Sequence, residues 1–111
     1  MFIKDEISKR INDFILICKK HNVDKLYAFG SSTNDQFNPS TSDIDLIVEI
    51  NEQNPIKKGE KLMSLWDVLE SFFVKKVDLI SERSIQNPYF KENIDKSKIL
   101  IYDGASKKVL I

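Results

Sequence analysis

The chain has 111 residues, 41% hydrophobic and 31% charged, the make-up of an ordinary folded, water-soluble protein rather than a disordered or membrane-embedded one. Lys and Arg number 17 and Asp and Glu number 17, so no overall field recruits nucleic acid, and direct nucleic-acid binding is not expected. The single cysteine, Cys18, excludes an intramolecular disulfide and a multi-cysteine zinc site, and fits a reducing, cytoplasmic setting.

Residues 3 to 20 space Ile3, Ile7, Ile11, Phe14, Ile15 and Cys18 by three and four, which predicts one amphipathic helix ending near His21 and Asn22. The start, "MFIKDEISKR", mixes acids with hydrophobes unlike a signal peptide, and no stretch nears the ~18 apolar residues of a membrane span. "KLYAF", 25 to 29, closed by Gly30, predicts a buried strand leaving through a tight turn. A polar loop containing Pro39 follows, with a helical turn placed at Ser31 to Asp35. "DIDLIVEI", 43 to 50, is the second strand, rich in β-branched residues. Leu62, Leu65, Trp66, Leu69 and Phe73 predict a second long helix over 57–73. "KKVDLIS", 75 to 81, is a third strand. Pro88 opens a short helix after Asn87, and "KILIYDG", 98 to 104, is a fourth strand. The expectation is a single α/β (α+β) domain over residues 1–111, a small mixed sheet of about four strands flanked by helices.

Alternate side chains of a strand share a face, so Asp43 and Asp45 point the same way with Cα atoms about 6.5–7 Å apart. At ~5 Å, two carboxylates near a protein surface repel by about 3 kcal/mol, but by less than about 1 kcal/mol in bulk water. A solvated strand end therefore tolerates such a pair, and the pair alone does not define a site. Asp78 adds to it, because an acid between Val77 and Leu79 needs a partner, a metal or a solvated cleft. Pairing with Lys75 or Lys76 is one solution. If the third strand neighbours the second, the alternative is an all-oxygen cluster suited to Mg²⁺. Gly30, Ser31 and Ser32, straight after the first strand, are a turn in most proteins, yet backbone N–H groups and serine hydroxyls there can also hold phosphate oxygens.

In this order, Gly30-Ser31, a polar loop, Asp43-x-Asp45 and then Asp78 resemble the nucleotidyltransferases of the DNA polymerase beta superfamily, and more closely their minimal nucleotidyltransferase (MNT) domains. The resemblance runs from about Lys25 to Tyr102. It implies a nucleotidyltransferase fold and a two-ion Mg²⁺ mechanism, with Asp43, Asp45 and Asp78 as metal-binding catalytic residues and Gly30, Ser31 and Ser32 as nucleotide-binding residues. It further implies AMP transfer from ATP to a hydroxyl, a tyrosine of a HEPN-type toxin partner, with the chain acting as antitoxin. The other function it leaves open is an antitoxin that neutralises its partner by contact, with little or no catalysis. Eleven residues separate Ser31 from Asp43, one more than the family's usual ten, and no basic residue directly follows Gly-Ser. The oligomeric state stays open, a homo-oligomer included.

Other residues invite a structural reading. His21, the only histidine, suits a helix C-terminus. Cys18 belongs to the apolar face of the first helix, and Trp66, Phe72 and Phe73 to that of the second long one. Lys75 and Lys76 are placed to guide a phosphate, and the tail "KKVLI" to touch a partner.

Overall fold

The computed structural model describes residues 1–34 and 36–111. Its elements are helices α1 (Phe2–Lys9) and α2 (Ile11–Lys20), strand β1 (Val23–Ala28), a 3₁₀ turn (Gly30–Thr33), β2 (Ile44–Ile50), α3 (Pro55–Phe73), β3 (Val77–Ser81), α4 (Pro88–Ser97), β4 (Ile99–Asp103) and β5 (Lys108–Val109). The strands form one mixed sheet in the order β3-β2-β1-β4-β5. Only β2 and β3 run parallel, with α3 as their crossover; the other neighbours are antiparallel. The α+β expectation holds, with five strands rather than about four. Among the described residues no helix is long and apolar enough to cross a membrane.

Strand alternation divides the two faces. Ile44, Leu46 and Val48 join Ile3, Ile7, Phe14, Cys18, Leu65 and Leu69 in the main core, so α1, α2 and α3 cover that side. Ile47 lies on the other side in a smaller cluster with Phe29 and Ile94, where α4 gives partial cover. Asp45 shares this second, more open face.

Three local features depart from the sequence expectation. The first helix is two helices, broken at Arg10 (φ −143°, ψ 53°). The Arg10 guanidinium donates to the Phe72 carbonyl and lies 4.1 Å from the centre of the Phe72 ring, which fixes the kink and leaves Ile11 exposed. The tail is an edge strand: Val109 pairs with Tyr102, and Val109 and Ile111 pack on the core, while Leu110 stays exposed. The turn expected at Ser31 to Asp35 spans Gly30–Thr33, and Asp35 lies outside the described residues.

Capping follows local sequence. The Asn54 side chain accepts the N–H groups of Ile56 and Lys57, with Pro55 in the first turn of α3, and Asn87 does the same for Tyr89 and Phe90 in α4. The far end of α3 then fixes the start of β3. Glu70 Oε2 accepts the Val77 N–H at 2.9 Å, and Trp66 Nε1 donates to the Val77 carbonyl at 2.6 Å. The residue before Asp78 is thus held on both sides of its backbone.

Candidate functional site

Asp45 and Asp78 are register partners on the parallel pair β2 and β3, which places their Cα atoms about 4.8 Å apart with both side chains on one face. Asp43 immediately precedes Ile44, whose N–H bonds to the Lys76 carbonyl at 3.0 Å. Asp43 and Asp78 are exposed and Asp45 is half-buried. Burial, then the charge of Asp78, then that of Asp43 raise the Asp45 carboxyl above its ordinary value. Among the described residues none of the three acids forms an ion pair. The alternative of Lys75 neutralising Asp78 fails because Lys75 donates to the Pro39 carbonyl and lies 5.6–5.8 Å from the ring centres of Phe37 and Phe2.

Gly30 closes the other side. Its φ is +63°, a left-handed conformation that favours glycine, and a Cβ there would lie 3.3 Å from Asp45 Oδ2. The missing side chain therefore leaves the carboxylate open and brings the turn backbone close to it. Ser31 is half-buried at the mouth of the turn. Ser32 is 2% exposed, and its Oγ accepts the Asp45 N–H at 3.0 Å. The Phe29 N–H bonds to the Asp45 carbonyl at 3.1 Å, so both backbone groups of Asp45 are tied to this segment. Thr33 braces the turn by donating from Oγ1 to the Gly30 carbonyl at 2.8 Å.

The longer loop is tethered between its ends. Phe37 packs on Phe2 with ring centres 5.1 Å apart, next to the Lys75–Pro39 contact. The Ser42 hydroxyl accepts the Asn38 N–H at 3.0 Å, one residue before Asp43. Phe37 and Pro39 of the spacer thus rest on α1 and on the segment between α3 and β3.

The three carboxylates offer only oxygen ligands, none is ion-paired among the described residues, and a hard cation such as Mg²⁺ would relieve their repulsion. Among the described residues no group of three or more His, Cys, Asp or Glu side chains is placed to hold a metal ion by itself. A cation held here would take its other ligands from phosphate oxygens and water, as Mg²⁺ ordinarily does. A cavity of about 530 Å³ at the other end of β1, lined by Lys19, Asn22, Asn51 and Tyr102, contains none of the acids. The three acids lie at the open sheet face instead.

The residues left to structure keep to it. His21 is buried, its Nδ1 donating to the Ile17 carbonyl at 2.7 Å and its Nε2 meeting Ser64 Oγ at 2.9 Å, which latches α2 to α3. Burial pushes the Cys18 thiol up to about 12, so it is an inert core residue. The positioning contacts of Ser32, Glu70 and Trp66 were not legible in sequence. Glu70 and Trp66 sit in a helix some ten residues before β3, and no spacing rule links them to Val77.

The family model "Polymerase beta, Nucleotidyltransferase" matches residues 12–107. Two Methanocaldococcus jannaschii proteins that bear the name protein adenylyltransferase are similar. One is 38% identical over 82 residues, covering 74% of this chain and 80% of its own, and the other 33% identical over 100 residues, covering 89% and 94%. A crystal structure of a toxin-antitoxin with AMP-PNP superposes with a TM-score of 0.59 at 22% identity, covering 85% of this chain and 73% of that one. A tri-AMPylated Shewanella oneidensis HEPN toxin in complex with MNT antitoxin gives 0.50 at 21% identity, covering 93% and 73%. These two structures share the fold.

Proposed function

The chain belongs to the polymerase beta nucleotidyltransferase family, and from that premise we propose that it transfers AMP from ATP to a protein hydroxyl, a tyrosine of a HEPN-type toxin that it restrains in the cytoplasm. The observation that carries this reading is the convergence of Gly30 and Asp78 on Asp45. A Cβ at Gly30 would lie 3.3 Å from the Asp45 carboxylate, and Asp45 shares its strand register with Asp78. The names of the similar proteins supply the AMP and the kind of partner.

In this mechanism the Gly30–Ser31 backbone and the Ser31 hydroxyl hold the β and γ phosphates. Asp43, Asp45 and Asp78 would hold Mg²⁺ beside the triphosphate. Bound there, the ions supply charge neutralisation at the transferring phosphoryl group and at the departing pyrophosphate. Asp78, exposed at the outer strand of the sheet, orients the acceptor hydroxyl and takes its proton. The acceptor oxygen bonds to the α-phosphorus, the α–β phosphoanhydride bond breaks, and pyrophosphate leaves. Ser32 serves the site by holding the Asp45 N–H, which fixes the strand carrying that carboxylate.

The test is incubation of the chain with ATP, Mg²⁺ and the protein encoded beside it, followed by intact-mass analysis of that protein. A gain of one or more AMP groups, lost in Asp43→Ala plus Asp45→Ala, is the expected result. Full neutralisation by that double variant, with no AMP transferred by the unmodified chain, would replace enzymatic restraint with restraint by contact.

A further inference from the structure

The residues above meet only phosphate, metal and acceptor, and leave the base of the nucleotide without a seat. Beside Gly30, helix α4 packs against the 3₁₀ turn. Phe90 sets its ring edge-on to Phe29, centres 6.4 Å apart at 86°, and Phe29 is the buried residue directly before Gly30. Tyr89 is 79% exposed and Phe90 44%. The other large hydrophobic side chains exposed among the described residues are aliphatic or thioether groups, so the exposed large aromatics gather at this one place. Their backbone is fixed in advance, since Asn87 Oδ1 accepts the N–H of Tyr89 at 2.9 Å and of Phe90 at 3.2 Å. They also share a side of the sheet with the acids, because Phe29 and Ile94 of α4 cluster with Ile47, two residues after Asp45.

From this geometry we propose that Tyr89 and Phe90 form the base subsite, a stacking platform for the purine ring of a nucleoside triphosphate whose phosphates lie at Gly30 and Ser31. The proposal rests on the nucleotidyltransferase reading above. Phe90 packs on Phe29, the residue before Gly30, and α4 contacts the Gly30–Thr33 turn, so this pair of aromatics borders the turn that would hold the phosphates. Flat aromatic faces hold any base by stacking and need no hydrogen-bond code. The platform therefore favours large purine rings over pyrimidines and discriminates weakly between ATP and GTP.

The test is equilibrium binding of ATP and of inorganic tripolyphosphate, each with Mg²⁺, to the unmodified chain and to Tyr89→Ala, Phe90→Leu and Phe90→Trp. From the usual strength of base stacking, Tyr89→Ala and Phe90→Leu should weaken ATP about tenfold and leave tripolyphosphate within about twofold, while Phe90→Trp retains ATP. Tyr89→Ala alters a side chain that lies mostly in solvent, so its folding is not at issue. Unchanged ATP affinity in both truncated variants overturns the platform, as does a parallel loss of both ligands, which would make α4 a support for the phosphate grip. An unmodified chain that binds neither ligand removes the nucleotide reading itself and the platform with it. Variants that keep ATP but lose the neighbouring protein would make this face a docking surface, which also overturns the proposal.

Discussion

Along β2, Ile44, Leu46 and Val48 lie under three helices, whereas Asp45 opens on the opposite side beside Asp78 and Gly30. The same seven-residue strand supplies both faces because its side chains alternate. The covered face is close-packed and gains from every apolar atom. On the open face, three acids stand without cationic partners among the described residues, and burial and mutual repulsion raise the Asp45 carboxyl. A stable fold does not need that arrangement; the proposed cation and polyanionic substrate would. The comparison teaches that parity along β2 separates the main core from the acids, while Ile47, on the acids' side, anchors that face in a second, smaller core.

Asp45→Ala attacks the open face and should have the largest effect. AMP transfer is expected to fall on the order of 10²–10³-fold, as when a charge-stabilising group is removed from an active site, with the circular dichroism spectrum unchanged. Leu46→Ala, one residue along, attacks the covered face. It should cost about 2–5 kcal/mol in urea unfolding, while the fraction that remains folded keeps its activity. If Leu46→Ala abolished transfer in fully folded protein, the separation by parity would fail.

Ser32→Ala probes the seam between the faces. It leaves the Asp45 N–H without its acceptor and should cost about 1–3 kcal/mol of stability. It should also raise the Mg²⁺ concentration needed for half-maximal transfer, a readout that a purely structural serine would not move. The smallest effect is expected from Asp45→Asn in Mg²⁺-free buffer. Since the folded Asp45 carboxyl holds its proton to a higher pH than the unfolded one, ionising it destabilises the fold. Stability should therefore fall as pH rises from the unfolded value near about 3.9 through the raised folded value, and stay lower above it. Asparagine removes that loss, so the variant should melt slightly above the unmodified chain at pH 7, by about a degree or two given solvent screening. Mg²⁺ with ATP should raise the melting temperature of the unmodified chain and leave the variant where it is; equal shifts in both would argue against Asp45 as a metal ligand.

Much of the fold was legible because it is written in local patterns. The three-and-four spacing of Leu62, Leu65, Leu69 and Phe73 set α3, although its Asn54-Pro55 start lies ahead of the 57 expected, and the Asn-Pro start at 87–88 set α4. The break at Arg10 was not legible, since its anchor is the Phe72 carbonyl, 62 residues away. Strand β5 was missed for a related reason. Two residues make a strand only when an edge such as β4 is present to pair with them.

The sequence alone determined which residue types carry the chemistry. The order Gly30-Ser31, Asp43-x-Asp45 and Asp78 carried the resemblance to the nucleotidyltransferase family that the family model bears out, and alternation within "DIDLIVEI" already assigned Asp43 and Asp45 to one face and Ile44, Leu46 and Val48 to the other. Only the tertiary structure decided that Asp78 lies in register with Asp45, that Lys75 is spent on Pro39, and that Ser32 holds the Asp45 backbone. Those facts depend on which strand pairs with which and at what offset. Pairing is set by the packing of the whole sheet under α1, α2 and α3, and no window of sequence contains it.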